Sequence, residues 1–332
     1  MSQTGSHQRN LTIDCLRTIG LFLVVAAHCR IPESLYAFRQ FDLVLLMLVS
    51  GMSYYLSSTH RESQPFKSFI IKRFNKLVLP VWLFLTFYFI VFYIAGERFS
   101  LETILSSFGL LSGIGYFWIF RVMFIASITN IPMSKAIGKF KLSSLIFICI
   151  LVLAINDAVY YTVLPLIPNE IVREIYKIII TYTVGYGTIS ILGMQWINNS
   201  RKQNLLITFT FGVIYLVFGI ILHFPNLQNF RHPPMLYFIA YGIMISGILY
   251  ELFCIAGISN RRVTQIITWF SKNSMTVYIW HVFAINLGGY FISTEMNWII
   301  YYLYVLVTAV LLTLAQQKIM QNFNRKEYKR IF

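Results

Sequence analysis

Two ionisable side chains in one apolar segment are the first candidates for chemistry. Arg17 and His28 lie eleven residues apart in a stretch whose other members are mostly apolar. In a helix this spacing is three turns plus about 20°, so both side chains would share one face, about 16.5 Å apart along the axis. A neutral imidazole can act as a general base, and a guanidinium can bind an anion. The same spacing also suits an Arg17 that reaches the headgroups of a membrane and a His28 that marks the opposite interface.

The segment that carries this pair is one of ten apolar stretches. Of the 332 residues, 57% are hydrophobic and 12% are charged, whereas soluble chains have roughly 25% charged residues. The stretches lie near residues 15–29, 42–57, 77–95, 116–133, 142–166, 175–196, 205–224, 235–257, 274–292 and 298–315. Most of them match the roughly 20 residues that a helix needs to cross a bilayer. The sequence therefore predicts an all-α, polytopic integral membrane bundle of about ten transmembrane helices, in which residues 1–332 form a single domain.

The formal net charge of +15 is distributed unevenly between the connecting segments. If the ten stretches cross the membrane, most of the 27 lysines and arginines fall into alternate loops and a C-terminal tail on one side. Basic residues concentrate on the cytoplasmic side of membrane proteins. Both termini are therefore predicted to be cytoplasmic, with an N-terminal segment at 1–12 and a basic tail at 317–332. The charge indicates topology and not nucleic-acid binding.

The remaining polar and ionisable residues carry weaker signals. The stretch 97–115 is too polar for a span and is predicted to lie along the outer interface. No cleavable signal peptide is visible, so the first apolar stretch is expected to remain as a helix. Neither a metal site nor a disulfide framework is predicted, because the histidines and cysteines lack ligand-like spacing. Four histidines are given no catalytic role, namely His7, His60, His223 and His232.

Five short sequence patterns resemble the motifs of one family of membrane enzymes. Asp14-x-x-Arg17 followed by His28 resembles the opening signature of the acyltransferase-3 family, whose members O-acylate cell-surface polysaccharides and related glycans. The other patterns follow in the same order, and the resemblance spans about residues 13–285. They are Ser50-Gly51, Lys72-Arg73-x-x-Lys76-x-x-x-Pro80, Tyr116-Phe117-Trp118-Ile119-Phe120 and Ser274-x-x-x-Tyr278-x-x-His281.

The resemblance implies a reaction and its partners. The protein would be a bacterial cell-envelope enzyme of the cytoplasmic membrane that moves an acyl group, most simply acetyl, from acetyl-CoA to a hydroxyl of a polysaccharide or lipid-linked glycan. Acyl-CoA would be a donor substrate, with no cofactor bound permanently. Besides the donor and acceptor, the implied partners are membrane lipid and, as an open option, a second copy of the chain. Leu45-Leu46-Met47 replaces the family's usual pair of phenylalanines, Arg121 stands at an apolar position, and the fused extracytoplasmic domain of many relatives is missing.

The same resemblance implies roles for individual residues. His28 would be the general base or a transient carrier of the acyl group, and Asp14 belongs to this catalytic set. Arg121 is added to the set for its position, because it is predicted to lie near the depth of His28, where it could stabilise the oxyanion. Trp118 would contact the acceptor or the oxyanion. Two further groups of residues would bind the donor. The phosphates would be contacted by Arg17, Lys72, Arg73 and Lys76. The channel for the donor would be lined by Ser50, Tyr278 and His281.

Each of these roles has a structural alternative. The loop cations could serve topology alone, Arg121 could pair with an acid of an outer loop, and Ser50 could make an interhelical hydrogen bond. A transporter is an alternative function because intramembrane Arg and His also mark permeation paths, although the internal repeats common in transporters are not visible. A non-catalytic membrane assembly subunit is the third hypothesis.

Overall fold

The computed structural model describes residues 9–58, 65–114, 116–137, 139–293 and 295–331. The secondary structure of these residues consists of helices joined by loops. His7 and His60 lie outside the described residues. The helices are α1 (Leu11–Ala27), α2 (Glu33–Phe38), α3 (Asp42–Ser58), α4 (Phe66–Leu77), α5 (Leu79–Ile94), α6 (Leu101–Phe108), α7 (Trp118–Ile137), α8 (Leu142–Ala158), α9 (Glu170–Tyr176), α10 (Tyr182–Asn198), α11 (Arg201–Ile221), α12 (Leu236–Ala256), α13 (Arg261–Phe291) and α14 (Trp298–Ile331). Each of the ten apolar stretches is helical over most of its length, so the all-α fold class is confirmed.

Seven helical stretches within the described ranges are long and apolar enough to cross a membrane. They are Glu33–Ser57, Phe66–Ile94, Leu142–Leu166, Glu170–Asn198, Arg201–Ile221, Leu236–Ala256 and Trp298–Asn322. Large apolar side chains cover the outside of the bundle, as with Phe209 at 70% exposed and Phe291 at 80% exposed, which suits a lipid-facing surface. The count of ten crossings and the cytoplasmic position of both termini stay predictions.

Several helix boundaries differ from the predicted ones. The α13 helix begins at Arg261, well before the predicted 274, and α14 continues past 315 to Ile331. Polar residues extend both helices, and hydropathy alone cannot detect a helix that continues beyond its apolar part. The segment 97–115 contains the short helix α6, and the stretch 175–196 is divided into α9, a π-helical turn at Lys177–Thr181 and α10.

The centre of the bundle is a close contact between α3 and α10. A Cβ on Gly51 would lie 1.9 Å from the carbonyl oxygen of Ser190, and a Cβ on Gly193 would lie 2.1 Å from that of Leu48. Helices in lipid gain association energy from close backbone packing at small residues. The glycine of the Ser50-Gly51 pattern is therefore required by this approach, which fixes α3 in the middle of the molecule, where it also packs against α1, α7 and α12.

Candidate active site

One face of α1 lines two cavities in succession. Arg17 and Leu21 border the first cavity, whereas Val24, Ala27 and His28 border the second. The spacing of Arg17, Leu21, Val24 and His28 is that of one helix face. Although α1 ends at Ala27, the backbone N–H of His28 still donates to the carbonyl of Val25 at 3.1 Å. The imidazole is therefore held at the tip of the same face that carries Arg17.

The first cavity, which we name the Arg17 cavity, has a volume of about 470 Å³. Helices α1, α3, α4, α7 and α13 contribute to its walls. Its polar lining consists of serines, tyrosines, Asn130 and a group of cations, and no carboxylate is among the described residues that border it. The cations are Arg9, Arg17, Arg73, Lys76 and Lys272.

Arg17 is held by a short chain of polar contacts. One guanidinium nitrogen donates to Ser271 Oγ at 3.0 Å, and Ser271 Oγ in turn donates to Asp14 Oδ1 at 2.6 Å. The other terminal nitrogen donates to Ser53 Oγ, while Asp14 also forms an ion pair with Arg9. Asp14 is 3% exposed. These contacts hold the guanidinium at the cavity wall, and Asp14 is the residue that positions it.

The second cavity, which we name the His28 cavity, has a volume of about 510 Å³. Its lining includes the aromatic rings of Tyr36, Tyr116 and Trp118 and the amides of Gln228 and Asn286. Leu43, Ile119 and Tyr278 border both cavities. The two cavities are therefore adjacent, and these three side chains belong to the wall that they share.

His28 lies in a group of rings on the wall of its cavity. Its ring centroid is 4.3 Å from that of Tyr116 in an edge-to-face contact and 5.6 Å from that of His281. His281 is fully buried and borders neither cavity. Its Nδ1 lies against the carbonyl oxygen of Tyr278, while its Nε2 has no partner among the described residues. Because a carbonyl can only accept, Nδ1 carries the proton and Nε2 is the free acceptor.

Two buried arginines share one carboxylate beside His28. Arg39 and Arg231 border the His28 cavity, and both form ion pairs with Asp42, which has no accessible surface. The Arg231–Asp42 nitrogen–oxygen distance is 3.1 Å, and a second nitrogen of Arg231 donates to Gln40 at 2.7 Å. Gln40 in turn donates to Gln228 at 3.0 Å. We name Arg39, Asp42 and Arg231 the arginine–aspartate cluster.

His232, the neighbour of Arg231, also lines this cavity. Its ring packs edge-to-face on Trp118, with centroids 5.2 Å apart, and stacks on Tyr182 at 6.1 Å. Removal from bulk water, followed by the positive charge of Arg231, lowers the pKa of His232 to about 4. The imidazole is therefore neutral at physiological pH.

Most of the residues assigned to donor binding lie around the Arg17 cavity. Arg17, Ser50, Arg73, Lys76 and Tyr278 all border it, and Tyr278 also reaches the second cavity. Two expectations differ from the geometry. Lys72 is exposed and does not border the cavity, because it is turned about 100° around α4 from Arg73. His281 packs behind His28 and does not line a channel.

Two residues of the predicted catalytic set are not beside His28. Asp14 lies fourteen residues before His28 on α1, about 21 Å by helical rise, where it contacts Arg9 and Ser271. Arg121 borders neither cavity, and it lies about 160° around α7 from Met123, which borders the Arg17 cavity. Its guanidinium donates to the carbonyl oxygens of Leu110 at 2.7 Å and Ile178 at 3.5 Å. Trp118, in contrast, borders the His28 cavity as the acceptor assignment requires.

The arginine–aspartate cluster was missed by sequence reasoning, which treated Arg39 and Arg231 as loop cations. The spacing of Arg39 and Asp42 was a usable signal, because residues three apart meet on a helical turn. Arg231 gave no comparable signal, since it lies 189 residues from Asp42.

Comparison with known families identifies the family of this chain. A family model described as an acyltransferase domain, that of the acyltransferase-3 family, matches residues 10–315. The chain belongs to this family and is a multi-pass membrane acyltransferase. A search of curated proteins and a search of solved structures each found no match.

Proposed function

We propose that the protein transfers an acetyl group from acetyl-CoA to a hydroxyl of a polysaccharide or lipid-linked glycan. The observation that carries the proposal is the single face of α1 that joins a cavity with five cations to a cavity with an imidazole. The cations suit the phosphates of a CoA donor, because arginine and lysine make charge-assisted contacts to phosphate oxygens. The second cavity has aromatic and amide groups of the kind that bind sugars.

The donor would lie lengthwise through the protein. Its nucleotide end would remain near Arg9, Arg17 and Arg73, and its thin pantetheine arm would pass Leu43, Ile119 and Tyr278. The thioester would then reach His28. Because acetyl-CoA is a cytosolic donor, we expect the Arg17 cavity to open to the cytoplasm, the protein to lie in the cytoplasmic membrane and both termini to be inside.

At His28 the neutral imidazole would accept the proton of the acceptor hydroxyl while that oxygen attacks the thioester carbonyl. The tetrahedral intermediate then collapses, the carbon–sulfur bond breaks, and the imidazolium returns a proton to the departing thiolate. General-base assistance of this kind typically contributes about 10²- to 10⁴-fold. In the covalent alternative, an imidazole nitrogen attacks the thioester carbonyl, the carbon–sulfur bond breaks and CoA leaves as the thiolate. The acceptor hydroxyl then attacks the acyl-imidazole, the carbon–nitrogen bond breaks, and the hydroxyl proton is passed to the CoA thiolate, which leaves as the thiol. The two routes use the same cavity.

The test of the reaction uses the protein purified in detergent and the glycans of cells that produce it. We expect purified protein to release free CoA thiol from acetyl-CoA, and surface glycans to gain one acetyl mass that disappears when the protein is removed. No thiol release and unchanged glycan masses would contradict the proposal. Uptake of a labelled sugar into proteoliposomes without CoA would favour a transporter instead.

A further inference from the structure

The arginine–aspartate cluster has an excess positive charge in the wall of the His28 cavity. Arg39 and Arg231 are 2% and 6% exposed, and Asp42 is the acid that both contact. Two guanidinium groups and one carboxylate leave a net charge of +1. Arg39 Nε is buried and has no partner among the described residues. No acidic side chain in the described part of the chain lines this cavity.

An unbalanced buried charge is costly in a membrane protein, so its retention indicates a ligand that balances it. In the proposed function the donor phosphates would contact the cations of the Arg17 cavity, which is separated from the His28 cavity by the shared wall at Leu43, Ile119 and Tyr278. Arg39 and Arg231 are therefore available to bind the acceptor. Guanidinium groups match planar carboxylates and phosphates through paired hydrogen bonds.

We infer that Arg39 and Arg231 bind an anionic group of the acceptor, either a sugar carboxylate or a glycan phosphate. This inference rests on the proposed function, because it names the acceptor class of the same site. The anion would take up the excess charge of the cluster, while Trp118 offers an aromatic ring to the sugar. The ring of Tyr36 stacks under the Arg39 guanidinium, 4.1 Å from its centre, and so helps to hold that cation at the cavity wall. The hydroxyl to be acylated would then lie towards His28. The acceptor is thus an acidic glycan.

The test is a binding measurement that needs no turnover. Thermal unfolding of the protein in detergent is followed at constant ionic strength with D-glucuronate, glucose 1-phosphate or glucose. A ligand that binds the folded state raises the unfolding temperature according to its affinity. We expect the two anions to bind about ten- to a hundredfold more tightly than glucose, the range expected for charge-assisted hydrogen bonds. A stronger effect of glucuronate indicates a carboxylate acceptor, and a stronger effect of glucose 1-phosphate indicates a phosphate.

Two variants separate the charge of the cluster from its packing. Arg231→Gln leaves Arg39 paired with Asp42, so a neutral pair remains and the preference for anions should disappear. Arg231→Gln combined with Asp42→Asn restores a net charge of +1 on Arg39, and part of the preference should return. The Asp42→Asn change keeps a side-chain oxygen, so the hydrogen bond that Asp42 accepts from the Leu43 N–H at 2.7 Å can be retained. If Arg231→Gln does not fold, Arg39→Gln gives the same neutral pair with Arg231.

Three results would overturn the inference. Wild-type protein could bind glucose and the anions equally, or Arg231→Gln could retain the preference. The preference could also disappear in Arg17→Gln while persisting in Arg231→Gln, which would assign the anion to the Arg17 cavity. Thiol release from acetyl-CoA is measured in parallel. An intact release without a preference for anions would reject this inference alone, whereas an absent release together with unchanged glycan masses would reject the proposed function.

Discussion

The ionisable side chains around the two cavities differ in what holds them. Arg17 is fixed by hydroxyls and Asp14 at the wall of one cavity, whereas Arg39 and Arg231 share a fully buried carboxylate beside the other. His28 has ring contacts on one side and the cavity on the other. His28 can thus meet a substrate on its cavity side, while the side chains around it are held by their own contacts. Fixed neighbours of this kind keep a reactive group in a defined position.

His232 should make the stability of the protein depend on pH. The pKa of its imidazole is lowered to about 4 in the fold, against about 6.5 in an unfolded chain. The unfolded state therefore binds more protons between these values, so stability is complete above about pH 6.5 and falls as the pH drops towards 4. Because the ring keeps accessible surface on the cavity, the loss should be smaller than the pKa difference alone would give.

The measurement is the unfolding temperature in detergent between pH 7.5 and pH 5. The wild-type protein should lose more stability over this range than His232→Gln, which keeps a polar side chain but cannot titrate. Equal slopes for the two proteins would show that the imidazole is not shielded as described.

Residue positions within one element were predictable, but contacts between distant elements were not. Arg17 and His28 follow from helical spacing, and their shared face is seen in the cavity walls. The direction of Arg121 depends on which face of α7 meets α3 and α13, and its apolar surroundings gave no sign of this. The pairing of Arg231 with Asp42 joins the segment before α12 to the first residue of α3, so it has no local pattern.

At the scale of elements, the contact between α3 and α10 is the feature most sensitive to side-chain size. Gly51→Ala would place a methyl group 1.9 Å from the Ser190 carbonyl oxygen, so the two helices must separate. Overpacking of this kind costs about 1–3 kcal/mol. We expect a clearly lower unfolding temperature and a reduced rate of acyl transfer, because α3 also carries Leu43 and Ser50.

The matched control lies on α10 itself. A Cβ at Gly187 would meet no atom within 4 Å, so Gly187→Ala should be neutral or stabilise by about 0.4–1 kcal/mol through the unfolded state. If Gly51→Ala and Gly187→Ala unfold at the same temperature, the close approach of the two helices is not as described.

The presence of helices was easier to predict than their ends. Apolar composition identified every long helix because a bilayer demands length and hydropathy together. It could not detect the polar first half of α13 or the π-helical turns at Val159–Val163 and Lys177–Thr181. The α13 extension matters for the site, since Ser271 and Lys272 at the Arg17 cavity belong to it.

Considered as a whole, the molecule places two different chemical environments at opposite ends of one short helix. The end at Arg17 is rich in cations and hydroxyls, and the end at His28 combines an imidazole with aromatic rings and a buried charged cluster. This division suits a membrane acyltransferase. If the donor and the acceptor approach from opposite sides of the membrane, each needs its own site, and the two sites must lie next to each other inside the bundle.

The central claim is that the donor binds at one end of α1 and reacts at the other. The most direct test measures acetyl-CoA affinity and acyl transfer separately in His28→Ala and Arg17→Ala, with Lys202→Ala as an exposed-cation control. We predict that His28→Ala keeps its affinity but loses transfer by about 10²-fold or more, whereas Arg17→Ala binds about tenfold or more weakly. Normal transfer by His28→Ala, or equal loss of binding in both α1 variants, would contradict the account.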